Sequence, residues 1–238
     1  MCLRYSPVKF ARQLRNSKQA IAAVEFALIA PFLIVLIFTG LELAHYAIAK
    51  LRIAQLSRLA ADVTGRYQPA LSLTNVDDVI TGIKLAGASI GFAQHGRIVI
   101  SGLQQNAGAN GQWINWQRCA GAKVYNSSWG TDDQGYATTT IQGMGPTGNQ
   151  IAAPTTGIYI IFVEIAYDYQ PLLPNSLFGN PLMTGSQAFI VRARQSGNIQ
   201  GAYTQDSGGN YVRANNGTGA RTATTQGATT DNCATYAA

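Results

Sequence analysis

Hydrophobic and polar positions divide the chain into three regimes. From Ile21 to Ala49 the residues read IAAVEFALIAPFLIVLIFTGLELAHYAIA, and Phe26 to Leu41 is a 16-residue stretch without a charge. With its apolar flanks this stretch reaches the roughly 20 residues needed to cross a hydrocarbon core as a helix. Beyond Leu41 the apolar residues Ala44, Ile48, Leu51, Leu56, Leu59 and Val63 alternate with Lys50, Arg52 and Arg58 at helical spacing. That pattern predicts one continuous helix from Ile21 to about Thr64, stopped by Thr64-Gly65 and some 65 Å long. Pro31 removes one backbone hydrogen bond within it, a weakness that helices in lipid tolerate.

The middle regime alternates with a period of two. Arg97–Leu103 (RIVISGL), Trp113–Cys119, Ile158–Tyr169 (IYIIFVEIAYDY) and Ala188–Arg194 (AFIVRAR) read as strands. Thr74 and Asp77 read as the start of a short helix over Asn75 to about Leu85. Gly, Thr, Ser and Asn dominate between Ala120 and Gly157, which predicts a long surface loop with room for a hairpin. From Ser196 large aliphatics almost vanish, and an irregular tail is expected. The fold class expected is α+β: a long transmembrane and amphipathic helix packed on a small antiparallel sheet. The expected boundaries are a leader over 1–20, the helix over 21–66, a domain over 67–195 and the tail over 196–238.

Charge adds topology. The chain carries a net +6, but Arg4, Lys9, Arg12, Arg15 and Lys18 stand unopposed in the first 20 residues, and the other 218 hold 12 basic and 11 acidic side chains. A nucleic-acid binder clusters its basic residues on a folded face. Here the excess flanks an apolar run, which predicts an N-terminus held in the cytoplasm and a C-terminal domain on the far side of the inner membrane, in the periplasm. Charged residues make up 12% of the chain, about half the usual share, as expected of an exported protein. A cleavable signal peptide ending at Ala47-Ile48-Ala49 is the alternative. In an oxidising compartment Cys119 and Cys233 either pair or remain independent thiols, and Cys2 lies in the leader.

Candidate chemistry is sparse. His45 and His95 are the only histidines and neither has a partner at ligand or catalytic spacing. Asp77-Asp78 suits a helix cap, and Asp132-Asp133 lacks calcium-loop spacing. Gly143-Met144-Gly145-Pro146 is not followed by the Lys-Ser/Thr of a phosphate loop. Trp113 and Trp116 fit a core, or a platform for a sugar. The expectation is a protein without catalytic activity, metal or cofactor. Glu25 is the exception in the apolar run: a carboxylate inside a bilayer costs about 2.5–3.5 kcal/mol at mid-membrane and less near the edge, so it either has a partner or is held at the headgroup level by the helix end.

The run K-Q-A-I-A-A-V-E-F-A-L-I-A-P, Lys18 to Pro31, resembles the processing region of TadE-like minor pilins, the pseudopilins of the tight-adherence (Tad) pilus. The resemblance implies cleavage between Ala20 and Ile21 by a prepilin peptidase, with Ala20 where the family usually has Gly. Glu25 then becomes the fifth residue of the mature helix, followed by the aromatic Phe26, and pairs with a neighbouring subunit's new amino terminus. The implied partners are other Tad pilus subunits and the inner-membrane assembly machinery, and the implied role is in adhesion or secretion. Trp113–Gly121, Gly143–Pro146, Val163–Leu172 and the F-I-V-R-A-R string are similar to the external part of such proteins. The competing expectation is an anchored or secreted envelope protein that binds a ligand or carbohydrate.

Overall fold

A computed structural model describes residues 18–67, 71–106, 111–131, 134–135, 141–148, 150–152, 158–172, 179–191, 199–200, 203–205, 211–213 and 233. The leader up to Ser17, Asp132-Asp133 and most of the tail lie outside the described residues.

Helix α1 spans Lys18–Arg66, 49 residues, and runs through Pro31 without a break. At 1.5 Å per residue it is about 73 Å long. It is followed by β1 (Leu71–Ser72), α2 (Leu73–Ala86), a short 3-10 turn at Ala88–Ile90 and α3 (Phe92–His95). Strands β2 (Gly96–Gln105), β3 (Gln112–Ala120), β6 (Tyr159–Asp168) and β7 (Leu182–Val191) form one antiparallel sheet in the order β3-β2-β6-β7. The remaining strands are two or three residues long: β4 (Gly143–Met144), β5 (Ile151–Ala152), β8 (Ile199–Gln200), β9 (Tyr203–Gln205) and β10 (Tyr211–Arg213). The α+β arrangement read from the sequence is the one observed.

One face of the sheet carries the main core. Ile98, Ile100, Trp116, Ile161, Val163 and Ile165 meet Ala49, Ile53, Leu56, Ala60 and Ala61 from α1 and Val76, Ile80 and Ile83 from α2. Two glycines set how closely α1 approaches. A Cβ on Gly65 would collide with the Phe189 ring, and one on Gly185 would press on Ile53. Gly65 therefore serves packing, and the helix runs on to Arg66 rather than stopping at Thr64-Gly65.

The buried stripe of α1 is not the one its apolar spacing suggests. Of the apolar residues expected to face the domain, Leu56 is buried and Val63 partly so, but Ala44, Ile48, Leu51 and Leu59 are exposed. This part of α1 carries two apolar stripes on opposite sides, and the alanine-rich one fits closest against a sheet. The α2 start also differs. Ser72 is its N-cap, its Oγ accepting from Asn75 N at 3.1 Å while Asn75 Oδ1 accepts from Ser72 N at 3.0 Å. Asn75 takes the reciprocal role that a carboxylate would, so the helix begins before Thr74.

The second face of the sheet is covered by the stretch expected to be a surface loop. Trp129, Ile141, Met144 and Ile151 pack on Leu103, Ile114, Ile160 and Phe162, and β4 pairs with β5 as a hairpin. Polar side chains stitch this cover down. Gln117 Nε2 donates to Ser101 Oγ at 3.0 Å and to the Gly130 carbonyl at 3.1 Å. Nor is the tail irregular throughout: β8 pairs in parallel with β1, and β9 pairs with β10.

Candidate functional site: the apolar stalk and its buried lock

Below the domain, α1 is bare. Ile21, Phe26 and the apolar side chains through Leu41 are exposed, and the most apolar window of the helix, with a mean hydropathy of 2.7, is not buried at all. By length and composition it can cross a membrane once. The backbone passes through Ala20 and Ile21 as unbroken helix. Glu25 and Phe26 face outward, and among the described residues nothing pairs with the Glu25 carboxylate.

Glu42, the first residue after the uncharged run, behaves in the opposite way. Although charged, it is 2% exposed. Its Oε1 accepts from the Tyr169 hydroxyl at 2.7 Å and its Oε2 from the Leu172 backbone N–H at 3.1 Å. Tyr169 Oη also lies 2.9 Å from His45 Nδ1. With the hydroxyl proton committed to Glu42, His45 Nδ1 must carry the hydrogen and donate to Tyr169, which assigns the ring its tautomer. Tyr46 stacks edge-on against the Tyr169 ring at 5.2 Å. Burial, reinforced by the bond to the Glu42 carboxylate, pushes the Tyr169 hydroxyl well above its ordinary value, so it stays a donor at any physiological pH. The group locks the end of the apolar run to the exit of β6.

Sequence reading missed this lock because its halves stand more than 120 residues apart. His45, read as lacking a spaced partner, has one in Tyr169. The only local signal was a carboxylate placed just where the apolar run ends. Tyr169→Phe should lower stability by about 1–3 kcal/mol, since a buried carboxylate loses a donor. Thermal unfolding of the full chain in detergent micelles checks this, and an unchanged midpoint would show that water replaces the hydroxyl.

A second buried carboxylate ties the loop to the sheet. Glu164, on β6, accepts from the Ser127 hydroxyl, from Ser128 N at 3.0 Å and from the Tyr125 hydroxyl at 3.3 Å. Burial outweighs these donors and raises its carboxyl above the ordinary 4.5. A raised value means the folded state holds its proton more tightly, so this contribution to stability is full below 4.5 and is lost as pH rises through the folded value. Unfolding midpoints followed from pH 4 to 7 should therefore fall for the parent relative to Glu164→Gln. Parallel profiles would show that the carboxyl is not shifted.

Cys119 and Cys233 are joined by a disulfide, and Arg97, fully buried, donates from Nη2 to the Cys233 carbonyl at 3.0 Å and from Nη1 to that of Gly121 at 3.1 Å. Trp116 is fully buried and Trp113 partly so, which leaves no shared platform for a sugar. His95 ends α3 in an exposed position and Asp77 lies within α2. Among the described residues no three His, Cys, Asp or Glu side chains gather as metal ligands would.

A single long helix, bare and apolar for its first half and packed against a four-stranded sheet for its second, defines an α+β protein with an apolar stalk. Residues 20–62 match the family described as TadE-like protein, so the resemblance carried by Lys18–Pro31 holds across both the bare stalk and the docked part of α1. The match ties the chain in general terms to the Tad pilus system and is compatible with a single membrane pass. It ends before the sheet begins, so the strings Trp113–Gly121 and Val163–Leu172 lie beyond it. No curated protein and no solved structure matches the chain.

Proposed function

We propose that the chain is a minor pilin or pseudopilin of a Tad-type pilus, acting by assembly rather than catalysis. The observation that carries this reading is a TadE-like helix that exposes its whole apolar run together with one unpartnered carboxylate, Glu25. A prepilin peptidase removes the basic leader between Ala20 and Ile21, and the new α-amino group at Ile21 is the cation that pairs with Glu25 of a neighbouring subunit. Before assembly the helix spans the inner membrane with the leader in the cytoplasm and the sheet domain in the periplasm. A periplasmic location suits the Cys119–Cys233 bond, because such bonds persist in oxidising compartments. Adhesion and secretion are the activities such a filament serves.

Cleavage at Ala47-Ile48-Ala49 by signal peptidase is disfavoured by packing. It would discard Glu42, His45 and Tyr46, which hold Tyr169, and cut beside Ala49 in the main core. Mass spectrometry of the protein purified from membranes decides the matter. The expected mature N-terminus is Ile21; a terminus at Lys50, or an intact Met1, would replace this reading with that of an anchored or secreted envelope protein.

A further inference from the structure

We infer that the end of the sheet domain nearest the lock rests on the lipid bilayer, with Leu172 and Leu182 in the headgroup and acyl boundary as a second membrane contact beside the helix. This rests on the reading that the apolar half of α1 spans a membrane.

Among the described residues outside α1, five large apolar side chains are exposed: Leu85, Val124, Leu172, Leu182 and Ile190. Three of them gather at one end of the sheet. Leu172 donates its backbone N–H to Glu42 Oε2 at 3.1 Å, which sets it level with the last turn of the uncharged run. Leu182 pairs with Asp168 at the end of β6, and the preceding Pro181 accepts from Tyr169 N at 3.1 Å. Val124 follows Lys123, whose ammonium lies 2.9 Å from Asp168. Leu41 and Leu43 are exposed on the helix at the same level. The bare face of the stalk thus continues onto the domain at the height where the helix leaves the hydrocarbon.

Chemistry at this end suits lipid. The described residues at this end, 169–172 and 179–183, carry no charge. The Lys123–Asp168 ion pair nearby is partly exposed and would sit among headgroups. Apolar side chains at such a surface are buried about 5–10 Å into the boundary, where each removes apolar area from water without displacing a charge. The lock makes this contact rigid. Because Glu42 bonds both Tyr169 and Leu172, the domain cannot rise from the surface without exposing a buried carboxylate or stretching the helix.

Ile190 supplies an internal control, since it lies on the same strand with the same exposure, 51% against 50% for Leu182. The two are about 26 Å apart along β7. The test uses the full chain carrying Cys2→Ser with its disulfide left oxidised. Leu172→Cys, Leu182→Cys, Ile190→Cys and Leu36→Cys are each labelled with the fluorophore NBD. Each is reconstituted into phosphatidylethanolamine/phosphatidylglycerol vesicles. The probes at 172 and 182 should be blue-shifted, quenched by lipids bearing a nitroxide near the headgroup, and several-fold less quenched by aqueous iodide than the probe at 190. Iodide access at 172 and 182 equal to that at 190, with the probe at 36 quenched by lipid, would overturn the inference and leave the membrane span intact. If the probe at 36 also escapes lipid quenching, the membrane-spanning reading falls and this one with it.

Discussion

Cys119→Ser is expected to destabilise the sheet domain by about 2–5 kcal/mol, the usual loss when a native disulfide is removed from an exported domain. The bond closes a loop with a sequence separation of 114, so its loss frees a long stretch of unfolded chain. It also releases the end of the tail from β3 and leaves the buried Arg97 guanidinium without the Cys233 carbonyl it donates to. At about 2–4 °C per kcal/mol for a chain of this size, the unfolding midpoint should fall visibly. A mobility shift on a non-reducing gel should accompany it, matching that of the reduced parent. A variant that migrates and melts like the oxidised parent would discard the bond.

Glu25→Ala should separate insertion from assembly completely. Removing a carboxylate from an apolar helix makes insertion easier, so the amount of protein in the membrane fraction should hold or rise. Incorporation into filaments should be lost, because the variant offers nothing for a neighbour's α-amino group to pair with. Glu25→Gln should fail equally, since it keeps the size and hydrogen-bonding capacity of the side chain but not its charge. Pili of normal number and length in either variant would show that the carboxylate has no assembly role and that its exposure on α1 has another cause.

Glu25 and Glu42 mark the limits of what local pattern reveals. Both are single carboxylates bordering the same apolar run, one before it and one after. Glu25 stands out because a charge among apolar neighbours is conspicuous. Glu42 reads as an ordinary return to polar sequence, yet it is the one the fold buries. Its partners, Tyr169 and Leu172, come from a strand exit that only the order β3-β2-β6-β7 brings beside α1. The buried stripe on α1 escapes local pattern for a related reason. Helical periodicity finds apolar positions, but choosing between two stripes depends on which one a sheet can approach closely.

Runs of neighbouring residues specify the regimes of the chain: a basic leader, an apolar helix of membrane-crossing length, strands with period-two alternation, and the TadE-like signature around Ala20 to Phe26. Each of these is a local property, written in runs of neighbouring residues whose spacing encodes their geometry. Packing in three dimensions sets which face of α1 is core, makes the glycine-rich stretch after Ala120 the cover of a second sheet face, and joins Glu42, His45 and Tyr169 into a lock. Those are contacts between residues far apart in the chain. They depend on strand order and on which small side chains permit close approach, and no window of sequence contains either.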